Sequence, residues 1–342
     1  MPAWRTGGRA TRNTFHCARV LVPLTCALVG LSSTAALAQA DKPFPTRPIR
    51  LVVPQAPGGA TDIQARLIAD RLTRLLGQQV VVDNRSGGGA AGIAAFTTVM
   101  KAAPDGHTLL AVVPSFTFAP VLYRNYPIDP LRDFVPVSLA TRAPYLLVVN
   151  AGNPSRSVRE LIQFGRAQPD KLTFGAGNTG SGTHLVTAWF IAAAGIQATY
   201  VPYRSTGMAT LDLTSGRLSA TFANVLSAGP LVKSGKLHVL GISTAQRSKT
   251  LPELPTIAEQ GVPGYNASTF HGYAVPAATP TVIVNTLSAA LARAVKSPEL
   301  ADRIAEDGGE PVGSTPAAFR QFIAGELRVW REVVSTNGIK VE

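Results

Sequence analysis

The sequence predicts an α/β fold in two lobes, and three observations carry that prediction. Short apolar runs alternate with stretches of helical periodicity, helix starts are well marked, and roughly 300 residues remain after an N-terminal targeting segment. The runs Ile49–Val53, Val80–Val82, Leu109–Val113, Leu146–Val149 and Val239–Ile242 are nearly continuous in apolar residues. Strands buried on both faces read this way, so mostly parallel sheets are expected. A chain of this length exceeds what one core usually supports, which makes two lobes the default.

The first forty residues read as a signal. Arg5, Arg9, Arg12 and Arg19 precede an apolar run from Val20 to about Leu31, and small residues lead to Ala36-Leu37-Ala38. A positive segment, an apolar segment and an A-x-A site define a secretory signal peptide over residues 1–40. Pro23 interrupts the run, which is shorter than the ~20 residues a bilayer span needs. Cleavage after Ala38 or Ala40 removes both cysteines, Cys17 and Cys26, so the mature chain must be stable without a disulfide.

The signal holds four of the 32 basic residues and none of the 20 acidic ones, leaving 28 − 20 = +8 on the mature chain. That balance attracts anions. Nucleic acid is not an expected partner, because the Lys and Arg residues are scattered and no basic run is interleaved with aromatics.

Helix starts follow the strands. Thr61-Asp62-Ile63-Gln64 and Ser157-Val158-Arg159-Glu160 read as capping boxes, and Thr279-Pro280, Ser297-Pro298 and Thr315-Pro316 set proline at the first helical position. From Thr61 to Leu76, a stripe of Ile63, Leu67, Leu72, Leu75 and Leu76 opposes Arg66, Asp70, Arg71 and Arg74, and Gly77 ends the helix.

Three strand-to-helix turns are rich in small residues: Pro57-Gly58-Gly59-Ala60-Thr61, Gly87-Gly88-Gly89-Ala90-Ala91-Gly92, and Gly175 through Thr183. Backbone N–H groups without acceptors at a helix start attract an anion together with the helix dipole. Two of these turns match G-x-G-x-x-G. Neither is followed by the ribose-binding carboxylate of a dinucleotide site about 20 positions on, since Tyr200-Val201-Pro202-Tyr203 and Val112-Val113 stand there. No cofactor is therefore expected. A hydrolase elbow around Ser181 would need glycine where Thr179 stands, and His184 has no nearby carboxylate in the sequence to orient it. The mature histidines are dispersed, and no zinc motif occurs, so no metal is expected. What remains at Asn178, Thr179, Ser181 and Thr183 is a set of hydrogen-bond donors without a cation, suited to a carboxylate.

The segments "RPIRLVVPQAPGGATDIQARLIADRL", "KAAPDGHTLL", "YVPYRSTGMATLDLTSGRLSATFANV" and "SGKLHVLGISTAQRSKTLPELPTIAEQGVPGY" closely resemble the solute-binding receptors of tripartite tricarboxylate transporters, the Bug family. The similarity covers the whole mature chain in order. It implies a two-lobed periplasmic binding protein of the type II, Venus-flytrap kind, with lobe one at 41–142 plus 273–342 and lobe two at 143–272. Two segments, Thr141–Leu147 and Ser268–Ala274, would cross between the lobes as the hinge.

The resemblance further implies that a small organic acid, a di- or tricarboxylate or an aromatic acid, is held by two facing loops and delivered to membrane permease subunits by a monomeric, non-enzymatic receptor. The loops correspond to Pro57, Gly58, Gly59, Ala60, Thr61 and Asp62, and to Asn178, Thr179, Gly180, Ser181, Gly182, Thr183 and His184. Asp62 is expected to serve the helix start. Ser115, Phe116, Tyr203 and Asn224 are expected to shape the pocket. Where the family often has Phe-Asp-Asn this chain has Phe222-Ala223-Asn224, which removes a partner for a ligand ammonium and disfavours amino acids. Where it often has Trp-Phe-Gly this chain has Phe270-His271-Gly272, and His271 is expected to contact a second group on the ligand. A sensor presenting the same acid to a signalling partner, or an esterase-like or NAD-linked enzyme, are the alternatives.

Overall fold

A computed structural model describes residues 44–58, 60–86, 92–337 and 339. The expected signal peptide with Cys17 and Cys26, Gly59 of the first loop, and residues 87–91 of the glycine run lie outside the described residues. No helix among the described residues is long and apolar enough to cross a membrane.

The chain begins with β1 (Ile49–Val53), α1 (Ala60–Leu76), β2 (Val80–Asn84), α2 (Ile93–Met100), β3 (Thr108–Val112), α3 (Ser115–Leu122) and β4 (Phe134–Ala143). It continues through β5 (Leu146–Asn150), α4 (Val158–Ala167), β6 (Thr173–Ala176), α5 (Gly182–Ala193), β7 (Thr199–Pro202), α6 (Thr206–Thr214), β8 (Ala220–Ala223), α7 (Val225–Lys233) and β9 (Leu237–Ile242). It ends with β10 (Thr269–Pro276), α8 (Thr281–Val295), α9 (Pro298–Glu306), β11 (Glu310–Pro311) and α10 (Pro316–Asn337).

The strands form two sheets, one of six in the order β11-β4-β10-β3-β1-β2 and one of five in the order β7-β6-β8-β5-β9. Both are mixed. β1 pairs parallel with β2 and β3, and β6 parallel with β7 and β8, as βαβ crossovers require. The pairings of β10 with β3 and β4, β11 with β4, and β5 with β8 and β9 are antiparallel. The parallel expectation holds for the βα units and yields where the chain passes from one sheet to the other and back, because those strands enter against the local direction.

All five apolar runs fall in strands, and burial on both faces explains the continuity of β1, β3 and β5, whereas β2 is an edge strand whose Val81 is 46% exposed. Leu51 and Val53 of β1 face a cluster with α1 and α8, while Val52 between them faces one with α2, α3 and α10. In the second sheet, Leu147 and Val149 of β5 pack toward α4 and α5, and Leu146 and Val148 toward α6 and α7.

The stripe expected on α1 is rotated. Ile63 and Leu67 are 36% and 37% exposed, and the buried face consists of Ala65, Ile68, Ala69 and Leu72. Alanines let the helix backbone sit close to the sheet and to Val284, Leu287 and Leu291 of α8, a signal that a search for large apolar residues passes over. The capping box at Thr61 is also displaced: α1 starts at Ala60, and Asp62 accepts from Gly58 N at 2.9 Å in place of a Thr61–Gln64 exchange. Ser157 and Thr315 cap their helices as read, with Glu160 N and Ala318 N donating to the hydroxyls at 3.2 Å in each case, but the return arm of the Ser157 box is shifted by one residue: the Glu160 carboxylate accepts from Arg156 N at 2.6 Å. Pro280 falls one residue before α8 rather than inside it.

Beyond the two segments expected to cross between the sheets, a third element does so. Phe319, Ile323 and Leu327 of α10 pack on the first sheet's cluster, and Trp330 and Val333 of the same helix pack in the second sheet's. The steps of three and four residues keep all five side chains on one stripe.

Candidate functional site

The loops after β1 and β6 lie at the carboxyl ends of parallel strands, where open α/β sheets bind ligands. In the first, Pro57 and Gly58 are exposed, Ala60 opens α1, and Thr61 and Asp62 are buried. Asp62 accepts from Gly58 N, from Arg66 Nε at 3.0 Å and from Asn84 Nδ2 at 2.9 Å. Burial alone would raise the Asp62 carboxyl, but these bonds outweigh it and hold it below the usual carboxylate range. Its oxygens are thus committed to the loop, in the structural role expected of it.

Thr61 makes the link that the sequence does not reveal. Its hydroxyl lies 3.1 Å from His271 Nε2, and His271 Nδ1 lies 3.4 Å from Thr141 Oγ1, which donates to Gln64 Oε1 at 3.2 Å. Thr141 and His271 face each other across the β4–β10 pairing. Both ring nitrogens of His271 therefore have partners within the protein.

Burial lowers the His271 imidazole to about 4. A histidine whose folded value lies below its unfolded value of about 6.5 resists a proton that the unfolded chain accepts. Its contribution to stability is complete above pH ~6.5 and declines as pH falls toward ~4, by up to about 3 kcal/mol. Urea unfolding of wild type and His271→Asn between pH 7 and 4 is expected to show a shallower loss in the variant. Parallel curves would remove His271 as the source.

The second loop is organised from within. Gly177 N donates to Thr183 Oγ1 at 2.9 Å, and Gly180 N donates to His184 Nδ1 at 3.1 Å. Ser181 caps α5, its Oγ accepting from His184 N at 3.2 Å. Ser181 N also donates to Asn178 O at 2.8 Å, so three of the backbone donors expected to face a ligand, those of Gly180, Ser181 and His184, are used inside the loop. The N–H groups of Gly182 and Thr183, in the first turn of α5, have no intrahelical acceptor and point along the positive end of the helix dipole. Asn178 and Thr179 are exposed at the tip. Thr183 Oγ1 also lies 3.2 Å from Thr206 Oγ1, which brings the start of α6 beside that of α5.

His184 receives the Gly180 N–H on Nδ1, so its own proton sits on Nε2, and burial lowers its pKa. A backbone amide occupies the position where a catalytic histidine would meet a carboxylate. Tyr200 supports the loop from behind: burial pushes its phenol up to about 12, the hydroxyl donates to Gly177 O at 2.6 Å, and the ring lies 4.4 Å from that of His184.

Residues flanking α3 and the β4–β5 crossing reach this loop. A Cβ built on Gly180 would stand 2.6 Å from Tyr123 Oη, and one on Gly182 would overlap the Tyr145 hydroxyl, with Pro114 Cβ at 3.8 Å. Ser115, half-buried in the first turn of α3 beside Pro114, is placed near Gly182 accordingly.

Two expected wall residues are elsewhere. Phe116 is 1% exposed and packs edge-on between Phe96 and Phe134, each with centroids 5.2 Å away, so it belongs to the core. Tyr203 donates its hydroxyl to Asp212 at 2.9 Å and packs with Leu218 on the α6 side of the second sheet. Tyr200, three residues earlier, is the tyrosine that meets the second loop, through Gly177 O and the His184 ring. Asn224 follows β8 at the N-cap of α7, and its Oδ1 is buried without a hydrogen-bond partner among the described residues.

Tyr123, Tyr145, Tyr200, Gln64, Thr141 and Thr206, which support these loops, are not singled out by the sequence. They come from separate segments, and only the fold assembles them. Among the described residues no group of three His, Cys, Asp or Glu is placed to hold a metal.

Two mixed sheets, with helix N-termini and hydroxyl-rich loops at their strand ends, define a solute-binding architecture, and comparison with known proteins agrees. The chain belongs to the tripartite tricarboxylate transporter family receptors, whose model matches residues 64–339. It is 35% identical to the protein BugT of Bordetella pertussis over 319 residues, covering 92% of this chain and 96% of that one. It shares 38% identity and a TM-score of 0.80 with R. palustris Rpa4515 with adipate, over 87% of this chain and 99% of that one. With MatC of Rhodopseudomonas palustris with bound malate, identity is 31% and the TM-score 0.77, over 85% of this chain and all of that one (100%). These are solute-binding receptors, and receptors of this family are periplasmic.

Proposed function

We propose that this chain is exported by a cleavable signal, binds a small organic carboxylate as a monomer between two lobes, and presents it to the permease subunits of a tripartite tricarboxylate transporter without chemical change. Lobe one comprises 41–142 and 273–342 and lobe two 143–272, with α10 as a strap between them. The observation that carries the reading is the pair of helix starts at Ala60 and Gly182, set in loops that contain hydroxyls and glycines but no Lys or Arg. Each helix end favours a negative group by a few tenths to ~2 kcal/mol and orients it through hydrogen bonds. Adipate and malate in the related receptors point to dicarboxylates. The absence of an acid at Ala223 leaves no partner there for an ammonium.

A thermal-shift screen of mature protein, refolded to remove retained ligand, tests this against di- and tricarboxylates, aromatic acids, amino acids and NAD. A ligand at a hundred times its Kd adds about 2.7 kcal/mol, which moves the midpoint by several degrees. Dicarboxylates are expected to shift it and NAD is not. A shift with NAD or an ester and with no acid would overturn the reading.

A further inference from the structure

We infer that Thr61 recognises a hydrogen-bond donor on the bound acid, so that the receptor favours hydroxy-carboxylates over their deoxy counterparts. The inference rests on the reading of the cleft as a carboxylate site and names the ligand class within it.

The argument follows the protons along the chain Gln64–Thr141–His271–Thr61. Thr141 Oγ1 donates its single proton to Gln64 Oε1, so toward His271 Nδ1 it can only accept, and Nδ1 carries the proton. A neutral imidazole has one N–H, which leaves Nε2 as a lone pair 3.1 Å from Thr61 Oγ1. Thr61 therefore gives its only proton to the ring. The burial of His271 keeps the ring in this neutral form. The oxygen of Thr61, at the start of α1, retains lone pairs and no proton.

Such an oxygen repels a carboxylate, which is acceptor-only, and pairs with an O–H group. The carboxylate is left to the N–H groups at the helix starts, and Thr61 is left to a hydroxyl. The polarity follows from the carbonyl oxygen that the half-buried Gln64 turns toward Thr141. A donor at position 64 would reverse every bond in the chain and free the Thr61 proton. Thr61 is thus a specificity residue, and His271, Thr141 and Gln64 are positioning residues acting through it.

The test is calorimetric binding of matched pairs, malate with succinate and 2-hydroxyadipate with adipate, to the full mature protein. The hydroxy acid of the better-bound pair is expected to bind about tenfold more tightly, as one well-placed hydrogen bond to a buried group allows. Thr61→Val should equalise the pair, Thr61→Ser should restore the preference, and Gln64→Glu, which can only accept, should keep it. Gln64→Lys, which can only donate, should abolish it, and this variant decides the matter if Thr61→Val does not fold. Equal or reversed affinities in wild type, or a preference that survives Thr61→Val or Gln64→Lys, would overturn the inference while leaving the receptor reading intact. Failure of every carboxylate to bind would instead remove the reading, and the inference with it.

Discussion

Trp330→Ala is expected to destabilise the protein by about 3–5 kcal/mol, the range for deleting a large aromatic from a core. Trp330 is 4% exposed and meets Phe118 and Trp189 edge-on, with centroids 5.6 and 5.8 Å away. Its Nε1 donates to Glu326 at 3.1 Å. Glu326 is raised by burial, while the Trp330 N–H and nearby Arg142 hold it down, so the variant also strands a carboxyl among apolar groups. Phe118 comes from α3 and Trp189 from α5, so this one side chain joins the two sheets through a helix that begins on the first. Urea unfolding measures the loss, and Trp330→Phe, which keeps most of the packing, should fall well short of it. A loss under about 1 kcal/mol would mean that the end of α10 does not hold the second sheet.

Such a role for α10 is hard to see in sequence, because a stripe of apolar residues says that a helix is buried without saying that its two halves face different sheets. The same limit explains which strands were legible. Runs buried on both faces stand out, whereas β6, β7 and β8 are four residues each and carry Gly175, Thr199 and Thr221. β4 and β10 are broken by Ser138, Thr141, His271 and Gly272. Two of those breaks, Thr141 and His271, form the polar chain behind Thr61, so the residues that hide the strands are ones that hold the first candidate loop.

The loops themselves were legible, since glycines and hydroxyls without a cation are an unusual way to begin a buried helix. Their supports were not. Tyr200 rather than Tyr203 backs the second loop because β7 ends between them: Tyr200 lies in the strand, and Tyr203 has passed its end and turned toward Asp212. The mature charge of +8 is likewise not gathered at the site. Neither loop contains Lys or Arg, and Arg66, one turn into α1, is held by Asp62. On the proposed reading, attraction of the anion over distance and its recognition at contact are separate, the first from dispersed charge and the second from oriented dipoles.

That division makes the second loop sensitive to shape, and Gly182→Ala is expected to weaken carboxylate binding roughly tenfold to hundredfold. Gly182 is the first residue of α5, a position where alanine is otherwise well tolerated, so the effect is steric. Its Cβ would overlap the Tyr145 hydroxyl. Tyr145 cannot retreat easily, being 3% exposed with its backbone N donating to Ser243 Oγ at 2.9 Å. Relieving the overlap by moving α5 displaces the N–H groups of Gly182 and Thr183 from the ligand, at the ~1–3 kcal/mol typical of overpacking. Adding Tyr145→Phe removes the colliding oxygen and should recover most of the affinity. The pair of titrations separates two causes: recovery in the double variant locates the effect at the contact between the crossing segment and the loop. Unchanged binding in Gly182→Ala alone would mean that the start of α5 does not hold the carboxylate.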